Sequence, residues 1–426
     1  MRILKVIHGY PPLYNAGSEV YSQSVCEELS KRHEVVVFSR EENPFAPDIM
    51  IRTSEVHCGL SLQLVNMPRA KDGYRHAELD ARFEELVRSC EPDVAHIGHL
   101  NHLSTGIVDV LVKARIPIVY TLHDFWLMCP RGQFLQRNFG QGRLYELCDG
   151  QEDRKCARTC YAASMSGVDG VSRNEEDHWT KWVGTRMAEM RRLASAVDLF
   201  IAPSEYLRAR FIQEFGFDAG KVRYLDYGFP TDYLTKTKKR DAGSKFRFGY
   251  IGTHIPAKGV NLLIEAFDGL GDGAELYIWG AKDQQSTAAL QAMAASRTGI
   301  HFMGAYVNQN LADEVFNRVE CIVVPSIWME NSPLVIHEAQ ACGIPVITAD
   351  AGGMVEYVQH QDNGLLFKHR SIEDLKKQMH WACDHPEEME RLGRRGYLFS
   401  ATGAVPSIVD HCAVLEDVYT ELITRS

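Results

Sequence analysis

The sequence predicts an α/β protein of two doubly wound halves, each built on a parallel sheet. Three observations predict it. Short β-branched runs alternate with stretches of helical periodicity along most of the chain. The alternation breaks at 227–245, where Gly228, Pro230 and the run TKTKKRDAGSK have linker composition, and restarts at Phe246. The length of 426 residues suits two or three domains at about 150 residues each.

The elements follow in order. Arg2 to His8 reads as a strand buried on both faces and ends at Gly9-Tyr10-Pro11-Pro12. Ser18 to Arg32 carries Val20, Tyr21, Val25 and Leu29 at helical spacing, and Glu34 to Ser39 is the next strand. Together they make a strand–helix–strand unit. Strands at Asp93–Ile97 and Ile116–Leu122 flank a helix near 101–114. After a break at 129–192, Asp198–Ala202 is a strand, Glu205–Phe215 a helix and Lys221–Leu225 a strand. Beyond the linker, Phe246–Ile251 is a strand, Gly252–Gly259 a loop and Val260–Leu270 a helix. Strands 274–279, 300–303, 320–324 and 344–348 then alternate with helices 285–296, 309–317 and 333–342, and the chain from Ser371 is mostly helical. The expected domains are 1–226 and 246–405, with 406–426 a terminal helix that crosses back to the first domain.

Composition narrows the function. Apolar residues are 45% and charged residues 24%, an ordinary globular mixture that excludes a disordered or fibrous chain. The net charge of −10 argues against a dedicated nucleic-acid binder. The start, Met1-Arg-Ile-Leu-Lys, lacks the apolar core of a secretory signal, and no run reaches the roughly 18 apolar residues of a spanning helix. A cytosolic protein with at most peripheral membrane contact is expected.

The sharpest segment is Val323-Val-Pro-Ser-Ile-Trp-Met-Glu-Asn-Ser-Pro-Leu-Val-Ile-His-Glu338. A strand ends near Pro325-Ser326. Ser332 stands where an N-cap is expected, with Pro333 at the first helical position. The free amides at that end, from Leu334 and Val335, with the helix dipole behind them, suit a phosphate. Glu330 and Glu338 are separated by seven residues. On spacing alone they read equally as two surface acids near a helix start.

The segment resembles the E-x7-E signature of retaining family 4 glycosyltransferases, which have the GT-B fold of two Rossmann-like domains facing a cleft. Its surroundings resemble the family too: Pro325-Ser326 before, Glu338-Ala-Gln-Ala-Cys-Gly-Ile-Pro-Val346 after, then Gly352-Gly353-x-x-Glu356 and Asn363-Gly364-Leu-Leu. The resemblance is strong over 246–367 and weaker before 200.

The resemblance implies transfer of a sugar from a nucleotide diphosphate, with a UDP-sugar the preferred guess, to a hydroxyl of a glycan or lipid-linked glycan. It implies retention at the anomeric carbon, front-face attack, no required metal or other cofactor, and a setting in polysaccharide assembly. No D-x-D metal motif stands beside a strand end. It further implies that Glu330 faces the transferred sugar and Glu338 the ribose, and that the segment Asn331, Ser332, Pro333, Leu334 and Val335 approaches sugar and diphosphate. Lys258 would neutralise the leaving group, and the loop with Tyr306 and Val307 would read the base. Gly17 would lie near the diphosphate, and His123 near the reacting carbon. Three positions depart from the pattern: Thr253 for an arginine, Ala16 for a glycine, and Tyr227-Gly228-Phe229 for Asn-Gly-Val. The alternatives are a sugar-nucleotide epimerase of the same fold, against which the E-x7-E context speaks, and a non-catalytic relative that binds sugar nucleotide, which Thr253 and Ala16 keep open.

Cys129, Cys148, Cys156 and Cys160 fall within 32 of the 426 residues. Even spacing of the eleven cysteines would put about one there. Four thiolates could hold one structural zinc; packed free thiols, disulfides and an iron–sulfur cluster are the other readings. The four are set among Gly132, Gly140, Gly142 and Gly150. Trp179, Lys181, Trp182, Arg186, Arg191 and Arg192 follow, either as a lipid-resting face or as a solvated basic face with packed tryptophans.

Overall fold

The structure is a computed structural model that describes residues 1–57, 59–67, 73–137, 145–162, 173–235, 245–280 and 284–425. Gly140, Gly142 and most of the lysine-rich run in the 227–245 segment lie outside the described residues. The chain divides into two units, Met1–Gly228 with Ile408–Ser426, and Phe229–Ser407.

Unit 1 holds strands β1 (Arg2–Ile7), β2 (Glu34–Glu41), β3 (Ile51–His57), β4 (Leu60–Asn66), β5 (Val94–Ile97), β6 (Ile118–Thr121), β7 (Leu135–Gln136), β8 (Glu146–Leu147), β9 (Leu199–Ala202) and β10 (Val222–Tyr224). Eight of them form one sheet in the order β10-β9-β6-β5-β1-β2-β4-β3, and β7 pairs with β8. Only β3 runs antiparallel to its neighbour in the large sheet. The apolar runs read from the sequence are its buried central strands, since helices cover both faces of such a sheet.

Three elements were not expected. Strand β3, IRTSEVH, is polar because it is an edge. Strand β4, LSLQLVN, alternates apolar and polar residues over its first half rather than running apolar throughout. The helix Ala77–Cys90 buries only the narrow stripe Leu79, Phe83 and Val87, which is easily read as polar loop. The helix near 101–114 is shorter than expected, Gly106–Lys113.

The terminal helix Ile408–Arg425 packs within unit 1. Tyr419 shares a 2.6 Å hydrogen bond with Nδ1 of His96, and Tyr21 a 2.8 Å one with Nε2 of His411.

Unit 2 holds β11 (Phe246–Ile251), β12 (Ala274–Trp279), β13 (Ile300–Gly304), β14 (Cys321–Val324), β15 (Val346–Ala349) and β16 (Gly364–Phe367). All pair in parallel, in the order β13-β12-β11-β14-β15-β16. The chain runs outward from β11 to one edge and then from β14 to the other. The carboxyl ends of β11 and β14 are therefore the switch point, where parallel sheets of this kind bind ligands.

Two expectations in unit 2 are corrected. The helix read at 309–317 is three short pieces, Asn308–Asn310, Leu311–Glu314 and Phe316–Arg318. Leu311, Val315 and Phe316 are all buried, and packing them inward breaks the helical run at Val315, φ −124° and ψ −68°. The helix after β14 is Leu334–Ala341, capped by Pro333 rather than Ser332. Pro333 has φ −65° and ψ 117°, so it is extended and outside the helix.

Candidate functional site

At the switch point of unit 2, the loop after β11 carries Lys258 and the loop after β14 carries Glu330. Lys258 Nζ donates to Glu330 Oε1 at 2.7 Å, and Ser326 Oγ donates to the same oxygen at 2.6 Å. Glu330 is 5% exposed, so its charge needs both partners. The ring of Trp328 lies under the ammonium, 5.7 Å from centroid to Nζ. Burial, with Glu330 and Tyr306 nearby, pushes the Tyr250 phenol well up, and its hydroxyl donates to the Thr253 carbonyl at 2.7 Å.

Two motif glycines let these loops approach. A Cβ on Gly259, at φ +69°, would stand 2.0 Å from the Pro325 carbonyl oxygen. A Cβ on Gly352, at φ +61°, would stand 2.5 Å from the Glu330 carbonyl oxygen. The next residue, Gly353, donates its amide to that oxygen at 2.8 Å. Ile327 donates to the Ala257 carbonyl at 2.9 Å and ties the two loops together.

Glu338, on the helix Leu334–Ala341, is partly exposed; burial pushes its carboxyl up to about 7. Tyr306 stands close enough for Glu338 to push its phenol up further. Val307 is 52% exposed, and its amide donates to Glu314 at 3.2 Å. Asn331 and Ser332 are buried, whereas Leu334 and Val335 at the helix start are partly exposed. The Ile336 amide is already taken by the Pro333 carbonyl at 3.0 Å. That leaves the amides of Leu334 and Val335 as the helix-end donors.

His254 does not replace the arginine missing at 253. It is 3% exposed, its Nδ1 bonds Thr287 Oγ1 at 2.8 Å, and burial lowers its pKa, which favours a neutral ring.

In unit 1, Gly17 begins the helix Gly17–Leu29, with Ala16 as its extended N-cap. His123 follows β6. Its Nδ1 lies 2.7 Å from the Tyr227 hydroxyl, and the two rings stack at 5.7 Å. Burial, with Lys5 and His99 nearby, holds the imidazole well below its usual range, so it is neutral.

The zinc reading of the four cysteines is not supported among the described residues. Cys129, Cys148, Cys156 and Cys160 line one small cavity with Phe134, Leu135 and Tyr161. Among the described residues no group of three or more His, Cys, Asp or Glu is placed to hold a metal ion. Cys148 Sγ donates to the Gly150 carbonyl at 3.0 Å, while Cys156 and Cys160 pack with Tyr161, Val183 and Met187. They behave as small apolar side chains.

The basic aromatic stretch is largely engaged within unit 1. Trp179 and Trp182 lie 5.1 and 5.0 Å from the Tyr161 ring. Arg186 is buried over Trp126, and Arg192 pairs with Asp109 and Glu189. Among the described residues no helix is long and apolar enough to cross a membrane.

Lys258, Glu330, Glu338 and Tyr306 are thus assembled in unit 2, and Gly17 and His123 belong to unit 1. Sequence reasoning missed Ser326, Trp328 and Tyr250; Ser326 stood in the quoted motif, and the aromatics had no spacing to mark them. The Tyr227 contact to His123 was also missed.

Family models match the chain twice: Glycosyltransferase Family 4 over residues 16–233, and Glycosyl transferases group 1 over 234–399. An uncharacterized 42.6 kDa protein in the cps region of Klebsiella pneumoniae is 24% identical, covering 84% of this chain and 87% of that one. A GDP-mannose-dependent alpha-(1-6)-phosphatidylinositol monomannoside mannosyltransferase of Mycobacterium tuberculosis is 26% identical, covering 50% of this chain and 60% of the relative. Among solved structures, sucrose-phosphate synthase from Thermosynechococcus elongatus superposes with TM-score 0.71 at 17% identity over 100% of both chains. Anabaena Alr3699/HepE in complex with UDP and glucose superposes with TM-score 0.68 at 17% identity over 99% of both. Those likenesses carry the GT-B fold, and the family models, one of them spanning half of the chain, carry the family: the protein is a glycosyltransferase of family 4.

Proposed function

We propose that the protein transfers a hexosyl group from a nucleotide diphosphate sugar to a hydroxyl of a glycan or glycoconjugate, with retention at the anomeric carbon. The observation that carries this is the Lys258–Glu330 pair, at 2.7 Å, on the two loops of the unit 2 switch point. Without donor, each charge of the pair satisfies the other. A bound donor would separate them. Its diphosphate would take Lys258 and the amides of Leu334 and Val335; its sugar hydroxyls would take Glu330, which Ser326 continues to hold. Glu338 would accept the ribose hydroxyls, with Tyr306 beside it at the base.

The chemistry asks for stabilisation of charge that builds on the leaving diphosphate. A fixed ammonium and fixed amides supply it without reorganisation, and donors held in place this way commonly account for most of the rate gain in such sites. The leaving phosphate takes the acceptor proton, so no side-chain nucleophile is needed. His123, neutral and fixed by Tyr227, is suited to donate a hydrogen bond to the sugar rather than to hold a charge. UDP is the preferred base. GDP is the competitor, since the mycobacterial relative is named for GDP-mannose.

A thermal-shift panel of UDP-, GDP- and ADP-sugars, followed by detection of released nucleotide with glycan acceptors, tests the reading. The expected result is stabilisation by one nucleotide class and acceptor-dependent release that Lys258→Ala reduces at least about tenfold, 1.4 kcal/mol of barrier. Binding without release under every acceptor would favour a non-catalytic relative, and interconversion of the donor sugar an epimerase.

A further inference from the structure

Phe229, the last residue of the Tyr227-Gly228-Phe229 departure, begins unit 2. Its amide donates to the Pro406 carbonyl at 2.9 Å, and it forms a single parallel bridge with Ser407, the last residue of the unit. The side chain is buried and lies flat on the His337 ring, with centroids 4.9 Å apart and planes 18° from parallel. His337 stands in the helix Leu334–Ala341, directly before Glu338.

His337 is fully buried and held by three rings. Besides Phe229, the Tyr357 ring lies 4.4 Å from it and the Tyr397 ring 5.6 Å. Tyr357 is tied in turn to the same helix, because its carbonyl accepts Gln340 Nε2 at 2.7 Å; it also accepts Asn363 Nδ2 at 2.8 Å. Gln340 is three residues beyond His337, so the two share a face. Ile336, His337, Ala339 and Gln340 are the buried residues of this helix, and Glu338 between them is partly exposed.

The helix has eight residues. One so short has little stability of its own, so its inward contacts decide how it is rotated about its axis. Successive residues are about 100° apart around that axis. Any rotation that lets the His337 ring slip outward swings the Glu338 carboxyl through the same angle. The two side chains are also close enough for His337 to pull the Glu338 carboxyl down against the upward push of burial. An aliphatic side chain at 229 would have no flat face to lay on the imidazole.

We propose that Phe229 is a positioning residue of the donor site: through His337 it fixes the angle at which Glu338 meets the ribose hydroxyls. This rests on the reading that Glu338 takes the ribose. Phe229 is buried and acts only through the helix.

The test uses the full chain with UDP and GDP, each titrated by calorimetry beside its 2′,3′-dideoxy analogue. The analogue lacks the hydroxyls that Glu338 would take. The affinity ratio within a pair therefore reads that contact and cancels base and diphosphate. The wild type should prefer the ribose form by about tenfold or more, the scale of hydrogen bonds to a charged group. Phe229→Leu should lower that ratio about threefold or more, the scale of one aromatic pair, and leave analogue binding close to wild type. In a Glu338→Gln background, Phe229→Leu should leave the ratio unchanged, since the effect runs through Glu338. Tm is measured for every variant. Phe229→Met, apolar and without a flat face, is the second variant if the leucine change costs the fold. The proposal is overturned if the ratio keeps its wild-type value, if analogue binding falls in step with that of the ribose form, or if the ratio still drops in the Glu338→Gln background. A wild type that binds nucleotide without preferring the ribose form overturns it through Glu338. A wild type that binds neither nucleotide overturns the donor reading itself.

Discussion

The Tyr227 hydroxyl lies 2.7 Å from Nδ1 of His123, and the two rings stack. Position 227 is one of the three that depart from the pattern the resemblance implied, and it has a local consequence: a phenol holds the imidazole. Tyr227→Phe keeps the ring and deletes the bond. The expected result is a loss of kcat of roughly fivefold, about 1 kcal/mol, with nucleotide affinity unchanged. The His123 ring nitrogens should shift in a nitrogen-detected NMR spectrum. An unchanged kcat would show that packing alone positions the ring.

Removing Lys258 leaves Glu330 buried beside Ser326 alone. Lys258→Ala should therefore lower stability as well as turnover. Losing one partner of a buried pair costs about 3 kcal/mol or more. The lysine is 29% exposed, so the cost falls below that figure. The double change Lys258→Met with Glu330→Gln should recover stability without recovering turnover, a cycle read by denaturant unfolding beside nucleotide release.

Burial raises the Glu338 carboxyl to about 7, above its ordinary 4.5. The sign follows. The native state holds this proton more tightly than the unfolded chain, so the contribution to stability is full at low pH and is lost as pH rises through about 7. Ribose binding runs the other way, because the carboxylate is the better acceptor of two hydroxyls. UDP affinity should rise between pH 6 and 8 more steeply in the wild type than in Glu338→Gln. Calorimetric titrations with parallel slopes would remove Glu338 from the ribose site.

Gly352→Ala puts a methyl group into the Glu330 carbonyl oxygen and forces a non-glycine residue to a positive φ of 61°. The conformation alone costs about 1–2 kcal/mol. The overlap must then move the Glu330 backbone. Turnover should fall further than the change in Tm accounts for, and a variant that loses stability but keeps turnover would separate Gly352 from the site.

Burial raises the Cys156 thiol to about 12 and also pushes Cys129 up. At pH 8 almost none is thiolate, and the thiolate is the reactive form. Iodoacetamide should label both slowly in the native chain and rapidly in denaturant, read by mass spectrometry.

The parallel strands were legible because a strand buried on both faces is mostly apolar, as in Ile3 to Ile7, interrupted by Lys5, or in Cys321 to Val324. Strand β3 was not, because an edge has no such demand. The run from Leu311 to Phe316 misled because its apolar spacing suits a helix, while the core takes Val315 and Phe316 in a broken one. At the site, Glu330, Glu338 and Lys258 stood out through motif and spacing. Trp328, Tyr250 and Tyr227 did not, since an aromatic residue looks the same in a core and beside a charge.

The sequence by itself determined the α/β class, the family and the short list of charged residues, because buried periodicity and a motif of glycines and acids are written locally along the chain. Only the tertiary structure decided which of these residues meet. Lys258 and Glu330 are 72 residues apart, and His123 and Tyr227 are 104 apart. Such pairs depend on which strands lie side by side and on where a glycine lets two backbones close. The same holds for the cysteines: their clustering was visible, but their packing among Tyr161, Val183 and Met187 is a property of the folded core.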